Sequence, residues 1–246
     1  YYVSTRAATL GKAGNKAVSA SFYSIHPDFI KASLDNCREH TAFEKAAGAR
    51  DAAVAPGLQQ LTPEICEPLA TMSPALWNAA EKLPLSGRAL FASLLDWPRH
   101  EDPLTSAWLA VNAIREWRGD THWAIMTSEN IDGTMAGILD NAKHNYDDQW
   151  LPRSRGADDE AISFAFKKLA ERGLANGEEV TTKGLEFREE LERKLNNMAS
   201  AAWRNLGIDQ TIQFLELIEP EGSRYMDHID RTAGSKWMPA GREVRS

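Results

Sequence analysis

The chain has 246 residues, a formal net charge of −7 and 43% hydrophobic side chains, enough for one large or two modest globular domains. The acidic balance argues against nucleic acid and anionic membranes as partners, because binding to phosphates normally needs a basic face. Two cysteines, Cys37 and Cys66, are too few for a disulfide framework and predict reduced thiols in a cytoplasmic protein. Val and Ile are sparse, which argues against a large β-sheet.

The first part of the chain is predicted to form a series of short helices. Hydrophobic spacing predicts helix over residues 13–34, broken at Pro27, and over residues 37–55. Thr62-Pro63 and Ser73-Pro74 each have the form of a helix start, a capping hydroxyl followed by proline. Further helices are predicted over residues 87–95, 104–117 and 131–142. The pattern weakens at Gly119 and resumes over residues 122–126.

The clearest local signal lies between residues 158 and 199. Asp158 or Asp159 is placed to cap a helix that ends at Gly173. Asn176-Gly177 predicts a tight turn between two very short strands, and Thr182 is placed to cap a long helix over residues 183–199. A helix, a two-stranded ribbon and a long helix form the back half of a winged-helix domain. The predicted fold class is therefore mainly α, multi-helical, with a winged-helix-like C-terminal domain.

The predicted organisation has three parts. Residues 1–144 form a helical domain, residues 157–218 form the winged-helix-like domain with its following helix, and residues 219–246 form an extended or partly disordered tail. The polar segment 145–156 between the first two is the predicted linker. The chain starts at Tyr1 instead of Met, so we expect that residues upstream are missing.

Four blocks of sequence resemble a known family. They are residues 6–11 (RAATLG), 22–27 (FYSIHP), 115–122 and 169–184 (LAERGLANGEEVTTKG). In this order they resemble the SalK-like proteins of actinobacteria, commonly labelled helix-turn-helix family proteins, over roughly residues 1 to 207. The resemblance implies an α-rich, winged-helix-like fold and a further N-terminal segment. The chain departs from the family at Thr9, where proline is usual, and at Trp117, where histidine is frequent.

Charged and aromatic residues are concentrated in residues 115–123, inside an otherwise apolar helical run. If the helix continues through Gly119, then Arg115, Arg118 and His122 share one face by three- and four-residue spacing. Two guanidinium groups on one cavity suit a carboxylate or phosphate. His122 is the candidate acid or base, with Asp120 as the candidate residue that orients it. Trp117 and Trp123 are the candidate aromatic walls of the pocket.

Three residues from the N-terminal blocks complete the candidate site. Arg6 and Tyr23 are assigned to ligand binding and His26 to catalysis, and their place in the pocket is implied by the resemblance alone. A structural interpretation stands beside this one. Arg118 and Asp120 also fit an internal ion pair, His122 a core histidine, His26 a capping residue, and the tryptophans a hydrophobic core.

Other chemistries have weaker support. No HExxH, CxxC, GxGxxG, P-loop or GxSxG motif is present, so no metal is predicted and the cofactor is unknown. Between residues 158 and 200 there are ten acids and seven bases, and the turn at 176–179 carries no base for the minor groove. Nucleic acid is therefore not the expected partner.

The predicted function is the binding of a polar or anionic organic small molecule, with a role as an enzyme of specialised metabolism left open. The alternative is a ligand-responsive winged-helix transcriptional regulator, and a third interpretation is a structural or dimerisation module. A homodimer is expected, paired through the helices over residues 183–199 and 203–218.

Overall fold

Helices dominate the computed structural model, which describes residues 2–238. The strands in this part of the chain are β1, Ala175–Asn176, and β2, Glu179–Val180, which pair antiparallel with Ala175 opposite Val180. The α-helices before the long central helix are α1 to α7: Tyr2–Arg6, Asn15–Phe22, Pro27–His40, Phe43–Leu61, Pro63–Thr71, Ser73–Glu81 and Ala89–Leu95. The α-helices from there on are α8 to α14: Pro103–Ser128, Gly133–Lys143, Trp150–Ser154, Asp159–Glu171, Thr182–Leu206, Ile208–Ile218 and Gly222–Thr232. The prediction that the fold is mainly α is confirmed.

The described chain divides into two compact units that differ from the predicted domains. The first comprises residues 2–48, 84–97 and 115–200, and the second comprises residues 49–83, 98–114 and 201–238. The predicted linker 145–156 lies inside the first unit and contains α10. One hydrophobic core includes Ile138 and Leu139 before this segment and Phe166 and Leu191 after it. Because both sides contribute to one core, the polar segment does not separate two domains.

A second hydrophobic core of the first unit is formed by the N-terminal helices. Val3, Val18, Phe22, Ile30 and Leu34 are all buried there. Pro27 stands at the first position of α3, where its missing N–H costs nothing. The predicted helix 13–34 is therefore two helices, separated at residues 23–26.

The second unit is held partly by polar contacts between distant segments. Trp77 donates its indole N–H to the Ser106 hydroxyl at 3.0 Å, and the hydroxyls of Thr62 and Tyr225 lie 2.6 Å apart. Thr62 precedes α5 but makes no capping hydrogen bond with its side chain, in contrast to the prediction. The tail, residues 219–246, is predicted to be extended or partly disordered. It includes the helix α14, whose Met226 is buried, and residues 239–246 lie outside the described residues.

The helix–ribbon–helix segment matches its prediction closely. Asp158 accepts the Ala161 N–H at 2.9 Å, and α11 buries Ile162, Phe166 and Leu169. The cap of α12 is Thr181, which accepts the Gly184 N–H at 3.1 Å, one residue before the predicted Thr182. The helix also continues to Leu206, well past the predicted end.

Gly184 lets α12 approach the ribbon closely. A Cβ at this position would lie 2.2 Å from the Leu174 carbonyl oxygen and 2.7 Å from Cγ1 of Val180. Backbone would have to move, so Gly184→Ala should lower the free energy of unfolding by about 1–3 kcal/mol. Gly48→Ala, in α4 with nothing within 4 Å of the new Cβ, should raise it by about 0.5–1 kcal/mol. Urea unfolding followed by circular dichroism measures both, and a gain at both positions would contradict the packing seen here.

Candidate functional site

The site is built on α8, which runs without a break through Gly119. Because the helix is continuous, Arg115, Arg118 and His122 lie on one face of it, as the spacing predicts. All three side chains belong to the first unit. Arg115 and Arg118 are half exposed, with side-chain exposures of 51% and 44%, and His122 is half-buried.

Arg6 enters the site through Glu116, a residue that the sequence did not single out. Its Nε and Nη2 donate to the two carboxylate oxygens of Glu116 at 2.6 and 2.5 Å, and Arg115 donates to the same carboxylate at 2.9 Å. Glu116 is only 2% exposed. Burial opposes the charge on Arg6, but the hydrogen bonds and the charge of Glu116 raise its pKa above its ordinary value. The pair is a buried bidentate ion pair.

Tyr2 joins the same group. Its hydroxyl accepts hydrogen bonds from Arg6 Nη1 at 2.9 Å and Arg115 Nη2 at 3.3 Å. Burial disfavours the phenolate, yet the positive charges of Arg6 and Arg115 outweigh it and lower the pKa of Tyr2. The phenolic proton is left to donate to a further acceptor.

Further along α8 the contacts lead to α9 and α12. Arg118 donates to Glu192 at 2.6 Å, so the predicted ion pair of Arg118 with Asp120 is replaced by one with α12. Arg188 donates through Nε to Asp140 at 2.9 Å. Burial lowers the pKa of Arg188, but Asp140 and Glu192 more than compensate and raise it above its ordinary value.

His122 lies among these charges as a neutral group. Burial lowers its pKa to about 4, the Asp140 carboxylate opposes the shift, and the charges of Arg118, Arg155 and Arg188 add to it. The imidazole stacks on Trp123 with ring centroids 4.7 Å apart, and Trp123 stacks on Tyr23 at 5.2 Å. Within residues 2–238 neither ring nitrogen of His122 makes a hydrogen bond, so both are available to a ligand.

Asp120 lies on another side of α8 and does not orient His122. It is buried and accepts the Phe91 N–H at 2.9 Å, near the start of α7. Burial raises its pKa to about 6, while the hydrogen bond from Phe91 opposes the shift. Trp117 is 2% exposed and donates to the Pro84 carbonyl at 3.1 Å. Asp120 and Trp117 are therefore buried and hydrogen-bonded within the protein, and neither side chain faces a binding pocket formed by residues 2–238.

The other two N-terminal candidates lie at the start of α3 and the end of α2. His26 is the residue before α3, and its Nδ1 accepts the Asp28 N–H at 3.4 Å. The hydroxyl of Tyr23 donates to the Ile131 carbonyl, and burial raises its pKa. Tyr23 also lines a shallow depression of about 290 Å³ together with Ser19, Ile25 and Asp132.

Arg155 is a further charged residue of this region, and sequence reasoning missed it. Burial lowers the pKa of Arg155, the Asp140 carboxylate opposes this shift and the charge of Arg6 adds to it, while the charge of Arg155 helps to lower the pKa of His122. We call this set the arginine cluster: Arg6, Arg115, Arg118, Arg155 and Arg188, with Glu116, Asp140, Glu192 and His122. Its five arginines face these three carboxylates and that of Glu189, which lies 3.1 Å from Arg188, so arginines outnumber carboxylates by one. The only sequence signal was a pair of arginines in an apparent linker.

Comparison with models of known protein families shows to which family this chain belongs. The model of a family described as "Helix-turn-helix family" matches residues 1–230. The chain belongs to this family. A comparison with curated proteins found no similar chain, and a comparison with solved structures found none either. Membership in the helix-turn-helix family fits the α11–ribbon–α12 segment, which lies in the matched range.

No helix within residues 2–238 is long and apolar enough to cross a bilayer. No three His, Cys, Asp or Glu side chains in this range come together as metal ligands. The arginine cluster supplies guanidinium groups and a neutral imidazole, and Tyr2 beside Arg6 supplies a phenol.

Proposed function

We propose that this helix-turn-helix protein binds a polar or anionic organic small molecule at the arginine cluster. The observation that carries the proposal is that the neutral His122, which makes no hydrogen bond within residues 2–238, lies among the charges of Arg118, Arg155 and Arg188, of which Arg118 pairs with Glu192 and Arg188 with Asp140. Positive charge that is partly removed from water is costly unless an anion compensates it. Guanidinium groups offer the paired donors that carboxylates and phosphates accept. The SalK-like resemblance, a winged-helix-like fold and a role in specialised metabolism belong to the same proposal.

The second candidate is a ligand-responsive regulator that binds DNA. Family membership and the ribbon between α11 and α12 favour it. The side chains weigh against it, because bases near the ribbon are engaged within the protein. Lys168 pairs with Asp132 at 2.9 Å, Arg172 donates to the Glu129 carbonyl at 2.9 Å, and Lys183 donates to the Arg172 carbonyl at 3.0 Å. The first turn of α11 carries two acids, which would repel phosphates.

A second copy of the chain is part of the proposal. Ile208, Ile212 and Leu215 follow helical spacing along α13 and are 72%, 46% and 40% exposed. An exposed apolar stripe of this kind is typical of protein contacts. It fits the expected pairing through the last long helices, and light scattering measures the mass in solution.

The proposal is tested by binding and by variants. Native mass spectrometry of freshly purified protein should show a retained organic ligand, which isothermal titration then measures. His122→Ala and Arg118→Gln should weaken its binding by at least about tenfold, since each removes a polar contact to a partly buried ligand. Arg193→Gln, an exposed arginine of α12, is the control and should bind normally.

The same preparation separates the two candidates. Duplex DNA binding that falls steeply with salt would favour the regulator. Variants at His122 and Arg118 that lose stability alone, with ligand binding intact, would make the cluster structural and refute the proposal.

A further inference from the structure

The depression beside Tyr23 is a second place in the first unit where a small molecule can bind. All of its lining residues belong to this unit. Its volume of about 290 Å³ is close to the lower end of the range of about 300–1,000 Å³ that is typical of ligand pockets, so a molecule with a single ring suits it. We call it the Tyr23 depression, and its lining residues are Ser19, Ala20, Tyr23, Ile25, Pro27, Asp132 and Gly133.

Tyr23 is held in a strained backbone conformation. It follows the last residue of α2 with φ +42 and ψ −66, where residues other than glycine are rare. Its N–H donates to the Ser19 carbonyl at 3.1 Å, and its hydroxyl donates to the Ile131 carbonyl. Strain of this kind persists only where the surroundings enforce it, and it is concentrated at ligand-binding and catalytic sites. The position of Tyr23 is therefore fixed before any ligand binds.

Gly133, the first residue of α9, contributes to this fixed position. A Cβ at residue 133 would lie 2.2 Å from the carbonyl oxygen of Tyr23 and 2.9 Å from Cα of Ser24. Both are backbone atoms that cannot rotate away, so only glycine allows α9 to begin this close to the end of α2. The same approach brings Asp132, the residue before Gly133, into the lining of the Tyr23 depression.

The ring of Tyr23 belongs to a stack of aromatic side chains. Trp123 lies 5.2 Å from Tyr23 with ring planes 12° apart, and it lies 4.7 Å from His122. Because Trp123 covers one face of the Tyr23 ring, a further ring can stack only on the other face. Offset-stacked rings attract each other beyond the burial of apolar surface. Apolar contacts for such a ring are available from the other lining residues Ala20, Ile25 and Pro27.

Asp132 indicates which polar group a ligand would carry. One carboxylate oxygen accepts the Met135 N–H and the other accepts from Lys168, each at 2.9 Å. Each oxygen can accept a second hydrogen bond, and the side chain is 44% exposed, so a ligand can reach it. Lys168 already compensates the charge of Asp132 and would repel a second cation. A neutral donor therefore fits better than an ammonium group.

Ser19 provides the complementary hydrogen-bonding group. Its hydroxyl makes no hydrogen bond within residues 2–238, although its carbonyl accepts from Tyr23. The hydroxyl can therefore donate its proton to a ligand oxygen. A phenol meets both requirements, because its hydroxyl group is at once a donor and an acceptor.

We propose that the Tyr23 depression binds a neutral phenol with a single ring. The ring stacks on Tyr23, and the phenolic hydroxyl donates to Asp132 and accepts from Ser19. This site goes beyond the proposed function, because it takes a neutral aromatic compound and uses no residue of the arginine cluster.

The first test is a titration of the protein with p-cresol, followed by amide chemical shifts in NMR. At pH 7 p-cresol is neutral, as the tyrosine side chain is. Binding should saturate and should shift the amide signals of Ser19, Tyr23 and Gly133. The methyl ether of p-cresol keeps the ring but has no O–H to donate, so it should bind at least about tenfold more weakly. Benzylamine, an ammonium ion at this pH, should also bind more weakly than p-cresol.

Variants of the lining residues locate the site. Ala20→Phe fills the depression from an exposed position of α2, so it should abolish p-cresol binding. Ala170→Phe makes the same change at an exposed alanine of α11, and as the control it should bind normally. Asp132→Asn should weaken binding by about tenfold while keeping the start of α9, because asparagine caps helices as well as aspartate does. Ser19→Ala should weaken binding by about threefold. Melting temperatures of all four variants show that they are folded.

Four results would each overturn the inference. One is a wild type that shows no saturable binding of p-cresol. Another is an Ala20→Phe variant that binds p-cresol as the wild type does, which would mean that the compound binds elsewhere. Equal affinity for p-cresol and its methyl ether would show that the hydroxyl is not recognised. Tighter binding of benzylamine than of p-cresol would make Asp132 part of a cation site. The proposed function is decided separately, by the retained ligand and by the variants of the arginine cluster.

Discussion

Replacing Glu116 by alanine should lower the free energy of unfolding by about 3–5 kcal/mol, because it leaves Arg6 without its buried partner. Arg6 bonds both carboxylate oxygens of Glu116, whose side chain is 3% exposed, and its own is 17% exposed. Arg6 also lies 4.8 Å from the centre of the Phe22 ring, so the charge cannot move easily into water. Urea unfolding gives the free energy.

The double variant Arg6→Met with Glu116→Leu distinguishes the stability lost with the ion pair from the stability lost by leaving a buried charge without a partner. It should be markedly more stable than Glu116→Ala, because two apolar side chains leave no buried charge. The control is Glu192→Gln, which breaks the pair with half-exposed Arg118 and should cost no more than about 1 kcal/mol. Equal losses at Glu116 and Glu192 would mean that the Arg6 pair is no more buried than the surface pair.

Asp120→Asn should change how stability depends on pH. The pKa of Asp120 is about 6 in the folded protein, raised by burial from an ordinary value of 3.8. Between pH 4 and pH 6 the folded protein therefore binds more protons than the unfolded chain, and the contribution of Asp120 to stability falls as pH rises. This contribution amounts to at most about 3 kcal/mol.

Asparagine does not titrate, so the variant does not lose this contribution to stability as pH rises. The difference in unfolding free energy, Asp120→Asn minus wild type, should increase by up to about 3 kcal/mol between pH 4 and pH 7.5. Because asparagine has one acceptor oxygen, the loss of a hydrogen bond near α7 shifts the whole curve without changing its slope. Parallel curves for the two proteins would show that Asp120 has an ordinary pKa.

The test compares the unfolding free energies of two proteins because His122 also titrates in this pH range. Its pKa is lowered to about 4 from an ordinary 6.5, so the unfolded chain binds more protons between these values. Its contribution is therefore fully present above about pH 6.5 and is lost as pH falls toward 4. The two residues act in opposite directions over the same range, and the wild-type curve alone hides both.

Much of the helical pattern was predictable because it depends on neighbours in sequence. Asp158 capping α11, the turn at Gly177 and the buried face of Ile162, Phe166 and Leu169 follow from local backbone chemistry and from helical spacing. The incorrect predictions about helices also concerned single residues and their neighbours in sequence. Gly119 costs a helix about 1 kcal/mol, too little to interrupt α8, whose side chains are held by packing on both sides of that residue.

The partners of the charged residues were beyond sequence reasoning. Arg115, Arg118 and His122 were found from their spacing on one helix. Asp120 was assigned to the same site because it is close in sequence, yet it lies on another side of α8 and accepts a hydrogen bond from Phe91. Nothing in the order of residues indicated that Glu116 would meet Arg6 or that Glu192 would meet Arg118.

The sequence by itself determined the helices, the ribbon and one face of charged residues on α8, because the periods of secondary structure are set within a few residues. The tertiary structure alone decided which charges are neutralised. Ion pairs form between side chains that packing brings together from far apart, as Arg188 and Asp140 show. The same packing left Arg155, in a segment that resembled a linker, without a carboxylate of its own.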